Sequence, residues 1–336
     1  MNILVTGAAG FIGSHCTKRL IEDGHTVLGL DSLHQGHRDA FAAASAAAPD
    51  RATLLVASLL DTDTITDALK QHEIEAVINF AAFALVGESV EQPLLYYKNN
   101  TAGVVSLLEA MQAAGVNRLV HSSTCATYGE PEAVPIVETE KQEPINPYGW
   151  SKLFNERVFL DYAAANPDFA FAALRYFNVA GSASDGTIGE DHRPESHLIP
   201  ILLQAALGKR EKAYIFGDDY PTPDGTCIRD YVHVEDLVDA HVTVLHKMSP
   251  GDRRIYNLGT GNGMSVKQII DAVKQVTGVD FPVEIADRRP GDPPELWANP
   301  AKIKAELDWQ AKYLTPEPMV EHAWKWFQAH PDGYAE

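Results

Sequence analysis

The 336 residues predict an α/β protein built on a doubly wound parallel sheet, followed by a second, smaller mixed α/β domain. Three observations carry this. Strand-like runs alternate with helical stretches through the first half of the chain. Most of those runs are continuously apolar rather than alternating, as strands covered on both faces require. After Asn178 the texture changes to longer, Gly- and Pro-rich loops between isolated elements.

Taken in order, strands are expected at Asn2–Thr6, Thr26–Leu30, Thr53–Val56, Ala76–Phe80, Arg118–Ser122 and Phe169–Tyr176. Helices are expected at Phe11–Asp23, Thr62–His72, Pro93–Ala114 and Tyr148–Ala165. Pro93 sits in a first helical turn, where its missing amide leaves no bond unmade. Ala40–Ala48 reads as a solvent-facing helix that stops before Pro49, since alanine is the best helix former. The expected division is 1–178 and 179–336, with a segment around 226–249 returning to pack on the first domain. Long loops in a compact protein usually carry function, so the second half is expected to close over the first.

Charge narrows the function. The 46 acidic residues outnumber the 27 basic ones, for a formal charge of −19. Such a surface repels phosphate backbones and anionic lipids, which argues against a nucleic-acid or membrane role. Cys16, Cys125 and Cys227 lie far apart with no CxxC pair, against a disulfide framework or a zinc site. No apolar window is long enough to span a bilayer, and MNILVTG has no leader-like basic region. A cytoplasmic protein is expected. His192 and His197 are the best metal candidates, yet no third ligand has supporting spacing, so no metal is expected.

The first strand runs into Gly7-Ala8-Ala9-Gly10-Phe11-Ile12-Gly13 and then a helix. Glycines allow a tight turn and close approach to a pyrophosphate, and the helix N-terminus adds amide donors and a positive dipole. The spacing is GxxGxxG, and its strand–helix context gives it weight as a Rossmann-like dinucleotide site. Asp31, 18 residues after Gly13, ends the second strand, where a carboxylate accepts from ribose hydroxyls and repels a 2′-phosphate. NAD is therefore expected rather than NADP. The alternative for Asp31 is a simple turn cap.

Tyr148 and Lys152 stand four apart at a helix start, hence on one face. A nearby ammonium and an oxidised nicotinamide both favour phenolate over phenol, making Tyr148 a candidate base for a substrate hydroxyl. YxxxK alone occurs readily by chance; its weight comes from Ser122-Ser123-Thr124, where Thr124 follows a strand and lies 24 residues earlier. Thr124 can bond the substrate oxygen, or act merely as a strand-end cap. Cys125 reads as a small space-filler and not a nucleophile.

With GAAGFIGSH, FAAFALVGESV, YYKNN, SSTCATYG, INPYGWSK, RYFNVAG, FGDDYPTPDGTCIRDYVHV and NLGTG, the chain resembles the extended short-chain dehydrogenase/reductase family from Asn2 to about Trp309. Within that family it is most similar to the nucleotide-sugar 4-epimerases. The resemblance implies a tightly held NAD, reduced and re-oxidised in each turnover, and inversion of C4 in a UDP-hexose (UDP-galactose to UDP-glucose) through a transient 4-keto sugar. It assigns Tyr148, Lys152 and Thr124 to catalysis. It places Ser58, Leu59, Phe80, Ala81, Ala82, Asn99, Ser122 and Phe177 around NAD with the glycine loop and Asp31. It places Asn178, His197, Phe216, Arg229, Arg289, Asp292 and Leu296 around the UDP-sugar. Arg229 and Arg289 suit the diphosphate, since guanidinium matches phosphate oxygens bidentately. A homodimer through Pro93–Ala114 and Tyr148–Ala165 is also implied.

The sequence departs from the family pattern in places. Ser58 replaces an acidic residue near the adenine, Ala84 a lysine, and His197 an asparagine; Leu296 stands where some members carry a tyrosine beside the sugar's C2 substituent. Pentose, uronate and N-acetyl sugars share most of the contacts. A decarboxylase or 4,6-dehydratase needs an acidic residue after the threonine, and this chain has Cys125-Ala126-Thr127. A non-catalytic NAD sensor, and a dehydrogenase that releases its cofactor, are the remaining alternatives.

Overall fold

In the computed structural model, which describes residues 1–289 and 292–335, one sheet of seven strands forms the centre. Its order is Arg253–Leu258, Ala170–Tyr176, Arg118–Thr124, Ala76–Asn79, Asn2–Thr6, Thr26–Asp31, Ala52–Val56. Every pairing in it is parallel. The strand order reverses around Asn2–Thr6, so the crevice beyond its carboxyl end is the place where a doubly wound sheet takes its ligand. Ile3, Val5, Ile78, Val120, Ala172 and Leu174 are buried in the core, which is why these strands carry no polar alternation.

Six strands lie where the sequence puts them, within two residues at either end. The seventh, Arg253–Leu258, is a difference. It is an edge strand opening on Arg253 and Arg254, and only Tyr256, Asn257 and Leu258 are buried, so its apolar run is too short to read. It also lies beyond the expected returning segment 226–249. Val232, Leu237, Val242, Tyr256, Leu258, Ile303 and Trp309 join the same core as Ile3 and Val5, so the return to the first sheet is longer than the sequence shows.

Two helices also differ. Arg38–Ala44 is the helical part of the alanine-rich stretch, and it is not solvent-facing: Ala40, Phe41 and Ala44 are buried. Phe41 packs against Gly29, where a Cβ would meet its ring at 2.3 Å. At its end the Ser45 hydroxyl bonds the carbonyls of Phe41 and Ala42. The expected helix 93–114 is interrupted by a π-helical segment, Tyr97–Ala102. Asn155 Nδ2 donates to the Asn100 carbonyl at 3.0 Å, offering it a partner outside the helix. Such π segments often mark functional positions, and this one carries Asn99.

The remainder forms a smaller layer. Strand Ile228–Arg229 pairs with Met264–Ser265 and Glu295–Leu296, and Ala213–Phe216 pairs with Val283–Ala286. Helices Leu198–Ala206, Val266–Thr277 and Pro316–Ala329 pack on each other through Leu202, Ile269, Val273, Met319 and Trp326. Val266–Thr277 has both ends specified locally: Ser265 and Gln268 form a capping box, and Gly278 closes it in the left-handed region.

Candidate active site

A cavity of about 830 Å3 opens at the carboxyl ends of the central strands and runs under the second layer. One wall is the glycine turn, with Gly7, Gly10, Phe11, Ile12 and Gly13 lining it. Gly7 takes φ +68°, and a Cβ on Gly13 would lie 2.0 Å from the Gly7 carbonyl oxygen, so the turn closes only without side chains. Gly10 is the N-cap of helix Phe11–Glu22 and brings no capping side chain, leaving the first-turn amides for an anion. The cradle therefore fits a dinucleotide pyrophosphate.

Asp31 lines the same cavity, with Ser58 and Leu59 beside it. Its carboxylate accepts from the amides of Ala9 (2.9 Å) and Leu33 (2.8 Å). Asp31 is thus a turn cap as well as a ribose candidate: two bonds use about half of its acceptor positions and leave the others free. Burial raises its pKa and those two amides oppose the rise. Phe80, Ala81, Ala82 and Asn99 form the next stretch of wall, and Phe177 faces it.

The helix Pro147–Ala165 sets the chemistry. Asn146 caps it by accepting from Gly149 N at 2.9 Å, and Pro147 takes its first position. Tyr148 therefore falls in the first turn and Lys152 one turn on, both lining the cavity with Ser122 and Thr124. Lys152 Nζ donates to the Ser122 carbonyl at 2.7 Å. The Thr124 hydroxyl accepts from Ala126 N at 3.2 Å, so it caps the strand end while facing the cavity.

Burial pushes the Tyr148 phenol well above the usual tyrosine value; Tyr176 adds to the rise, and the Thr124 hydroxyl works against it. Burial lowers the Lys152 ammonium to about 7, with Glu156 opposing. The sequence reading has Lys152 drawing Tyr148 toward phenolate. In the chain alone, burial outweighs that pull and Tyr148 is a neutral phenol. Burial also pushes the Cys125 thiol up to about 12, so a protonated thiol stands next to Thr124.

On the far wall, Asn178, Arg229, Asp292, Leu296 and His197 line the cavity. Arg229 pairs with the Asp292 carboxylate and donates to the Ile228 carbonyl at 2.7 Å. Phe216 and Arg289 are not among the lining residues: the Arg289 guanidinium lies on the Phe216 ring, 4.0 Å from its centre, and Arg289 is exposed. That stacking is a cross-loop contact without a sequence signature.

Several neighbours are missed by sequence reasoning. Tyr176 lines the cavity and its hydroxyl bonds Ser122 Oγ; its presence in RYFNVAG was the available signal. Around His192 and His197 the structure supplies the acidic groups that spacing did not show. Glu190, His192, Glu195 and His197 converge, and both imidazoles approach the Glu190 carboxylate. One tight loop folds them together. Burial works against a charged His192, yet Glu190 and Glu195 prevail and raise it to about 10, so these groups already satisfy each other as ion pairs.

Residues 3–259 match the model of the NAD-dependent epimerase/dehydratase family. This chain belongs to that family. The UDP-glucose 4-epimerase of Halalkalibacterium halodurans is 48% identical over 100% of this chain and 98% of its own. A crystal structure of a UDP-glucose 4-epimerase is 47% identical, with TM-score 0.95 and full coverage of both chains. The UDP-glucose 4-epimerase from Stenotrophomonas maltophila, solved with NAD and formylated UDP-arabinopyranose, is 39% identical with TM-score 0.94, covering 98% of this chain and 99% of that one. NAD is the family's cofactor, and the glycine cradle and Asp31 suit it.

Proposed function

We propose that this family member inverts C4 of a UDP-hexose, interconverting UDP-galactose and UDP-glucose. One observation carries the reading: Tyr148 and Thr124 face one cavity, and the residue after Thr124 is Cys125, whose thiol stays protonated to about 12. A 4,6-dehydratase or decarboxylase would need an acid or base there. Bound NAD supplies reversible two-electron oxidation at the sugar carbon.

The remaining work falls to side chains. As the phenolate, the form favoured by the positive charges of Lys152 and of bound NAD, the Tyr148 oxygen takes the C4 hydroxyl proton, becoming the phenol, and returns that proton to the same sugar oxygen once the sugar has turned its other face. Thr124 Oγ1 holds that sugar oxygen. Lys152, anchored on the Ser122 carbonyl, keeps a positive charge beside the phenol and favours the form that accepts a proton. Arg229, held by Asp292, grips the diphosphate with Asn178 and His197, leaving the sugar free to turn over. Phe216, at the end of strand Ala213–Phe216, and Arg289 beyond its partner strand join only if this strand pair moves inward on ligand binding. The halves 1–178 and 179–336 carry most of the cofactor and most of the nucleotide-sugar recognition respectively, with Thr124 and Asn178 of the first half also reaching the sugar nucleotide.

The test is to incubate the purified protein with UDP-galactose and no added NAD, following the anomeric proton signals by NMR. Growth of UDP-glucose to an equilibrium mixture supports the reading; a keto or decarboxylated product overturns it.

The partner is proposed to be a second copy. Leu94 (80% exposed), Val90 (62%), Val105, Phe154 and Leu160 are exposed apolar residues in or beside Pro93–Tyr96, Gly103–Ala114 and Pro147–Ala165, and a second copy packed on these helices would cover them. Sedimentation as a monomer would refute it. No helix among the described residues is long and apolar enough to cross a membrane. The three free thiols fit a reducing, cytoplasmic setting.

A further inference from the structure

Behind the catalytic helix lies a buried charge cluster that the reaction as described does not use. Glu156 sits one turn after Lys152, and both are almost fully buried. The Arg175 guanidinium clasps the Glu156 carboxylate with two bonds, Nε to Oε1 at 2.9 Å and Nη2 to Oε2 at 2.5 Å. The Ser123 hydroxyl donates to Oε1 at 2.5 Å, and Gln142 Nε2 reaches Oε2 at 3.4 Å. Ser123 lies between Ser122, whose carbonyl receives Lys152, and Thr124. A single carboxylate therefore ties the strand end bearing Ser122 and Thr124 to the helix bearing Tyr148 and Lys152.

We propose that Glu156 is a positioning residue for the catalytic group, holding the Ser122–Thr124 strand end in register and placing its carboxylate one helical turn from Lys152. The inference rests on the reading of Tyr148 and Lys152 above.

Its electrostatic side follows from what surrounds Lys152. The strand Arg118–Thr124 contributes His121, which burial, Lys152 and His241 all keep neutral. The helix contributes the Tyr148 ring, with its centre 6.0 Å from Nζ, and strand Ala170–Tyr176 contributes Arg175 and Tyr176. Tyr148 and Tyr176 are both held as neutral phenols, chiefly by burial. The negative charge of Glu156 favours the ammonium against burial. Losing this anion leaves the buried Arg175 without its ion-pair partner and Lys152 with less to oppose burial. Ser123 carries no charge, so it separates the geometric part from the electrostatic part.

The experiment is the pH profile of kcat for NAD-loaded wild type, Glu156→Gln and Ser123→Ala with UDP-galactose, alongside Tyr148→Phe. Glu156→Gln keeps the shape and can still bond Ser123. Its alkaline limb is expected about 1 pH unit lower, because removing an opposite charge favours the neutral amine. That shift corresponds to roughly tenfold lower kcat on the alkaline side, with KM unchanged. Ser123→Ala should keep the wild-type limb. An unmoved limb in folded Glu156→Gln, or an equal shift in Ser123→Ala, overturns the proposal. If Glu156→Gln does not fold, the double variant Glu156→Gln/Arg175→Met removes the pair with no net change of charge: kcat lowered at every pH is expected, and wild-type kcat overturns the proposal. Full activity in Tyr148→Phe would instead sink the underlying reading.

Discussion

Lys152 Nζ donates to the Ser122 carbonyl at 2.7 Å while standing 6.0 Å from the centre of the Tyr148 ring. The lysine is thus aimed by the strand end, and its influence on Tyr148 acts through space. This splits the roles of the two residues and makes them separable by mutation.

Tyr148→Phe removes only the hydroxyl proposed to shuttle the proton. The expected loss in kcat is about 10²–10⁴-fold, the range of general acid–base catalysis. NAD content, read by absorbance after denaturation, should stay near wild type, because the cradle is untouched. Loss of NAD together with activity would contradict this division.

The chain stripped of NAD should show no tyrosinate from Tyr148 near neutral pH. Burial holds this phenol above its ordinary value, and a group with a raised pKa stays protonated until the pH exceeds that raised value. The check is the ultraviolet difference between wild type and Tyr148→Phe during an alkaline titration. A tyrosinate signal below pH 8, unique to wild type, would contradict the burial argument.

Two glycines of the cradle should respond differently to alanine. A Cβ at Gly13 meets the Gly7 carbonyl oxygen at 2.0 Å, whereas at Gly10 it meets the same oxygen at 3.4 Å, ordinary contact. Gly13→Ala must shift backbone and should cost about 1–3 kcal/mol or more in stability, read as a lower Tm. Gly10→Ala should keep the wild-type Tm and lose NAD affinity, since its methyl enters the cavity. Equal effects in both assays would refute the distinction.

Leu296 lines the cavity beside Arg229, on the strand paired with it. A leucine leaves more room than the tyrosine some relatives carry, so UDP-N-acetylglucosamine is expected to be turned over, and Leu296→Tyr to lose that activity while keeping UDP-galactose. Wild-type inertness toward the N-acetyl sugar would end this idea.

The central strands, the glycine turn and the Tyr148–Lys152 spacing were legible because each is local. Continuous apolar runs mark buried strands, three glycines and a helix start make a turn, and four residues make one helical turn. The cavity wall needed more. Tyr176 on Ser122, Glu190 between His192 and His197, Arg289 on Phe216 and the edge strand Arg253–Leu258 depend on which segments the fold brings side by side. The same is true of burial, which reverses the expected sign of the Tyr148 shift and brings Lys152 to about 7. The sequence by itself determined the order of strand elements through Tyr176, the dinucleotide cradle and the candidate pair Tyr148 and Lys152, since these follow from short-range periodicity and residue chemistry. Only the tertiary structure decided the dielectric around that pair and the partner of each buried charge, because Glu156, Arg175 and Ser123 meet across sequence separations that no local pattern encodes.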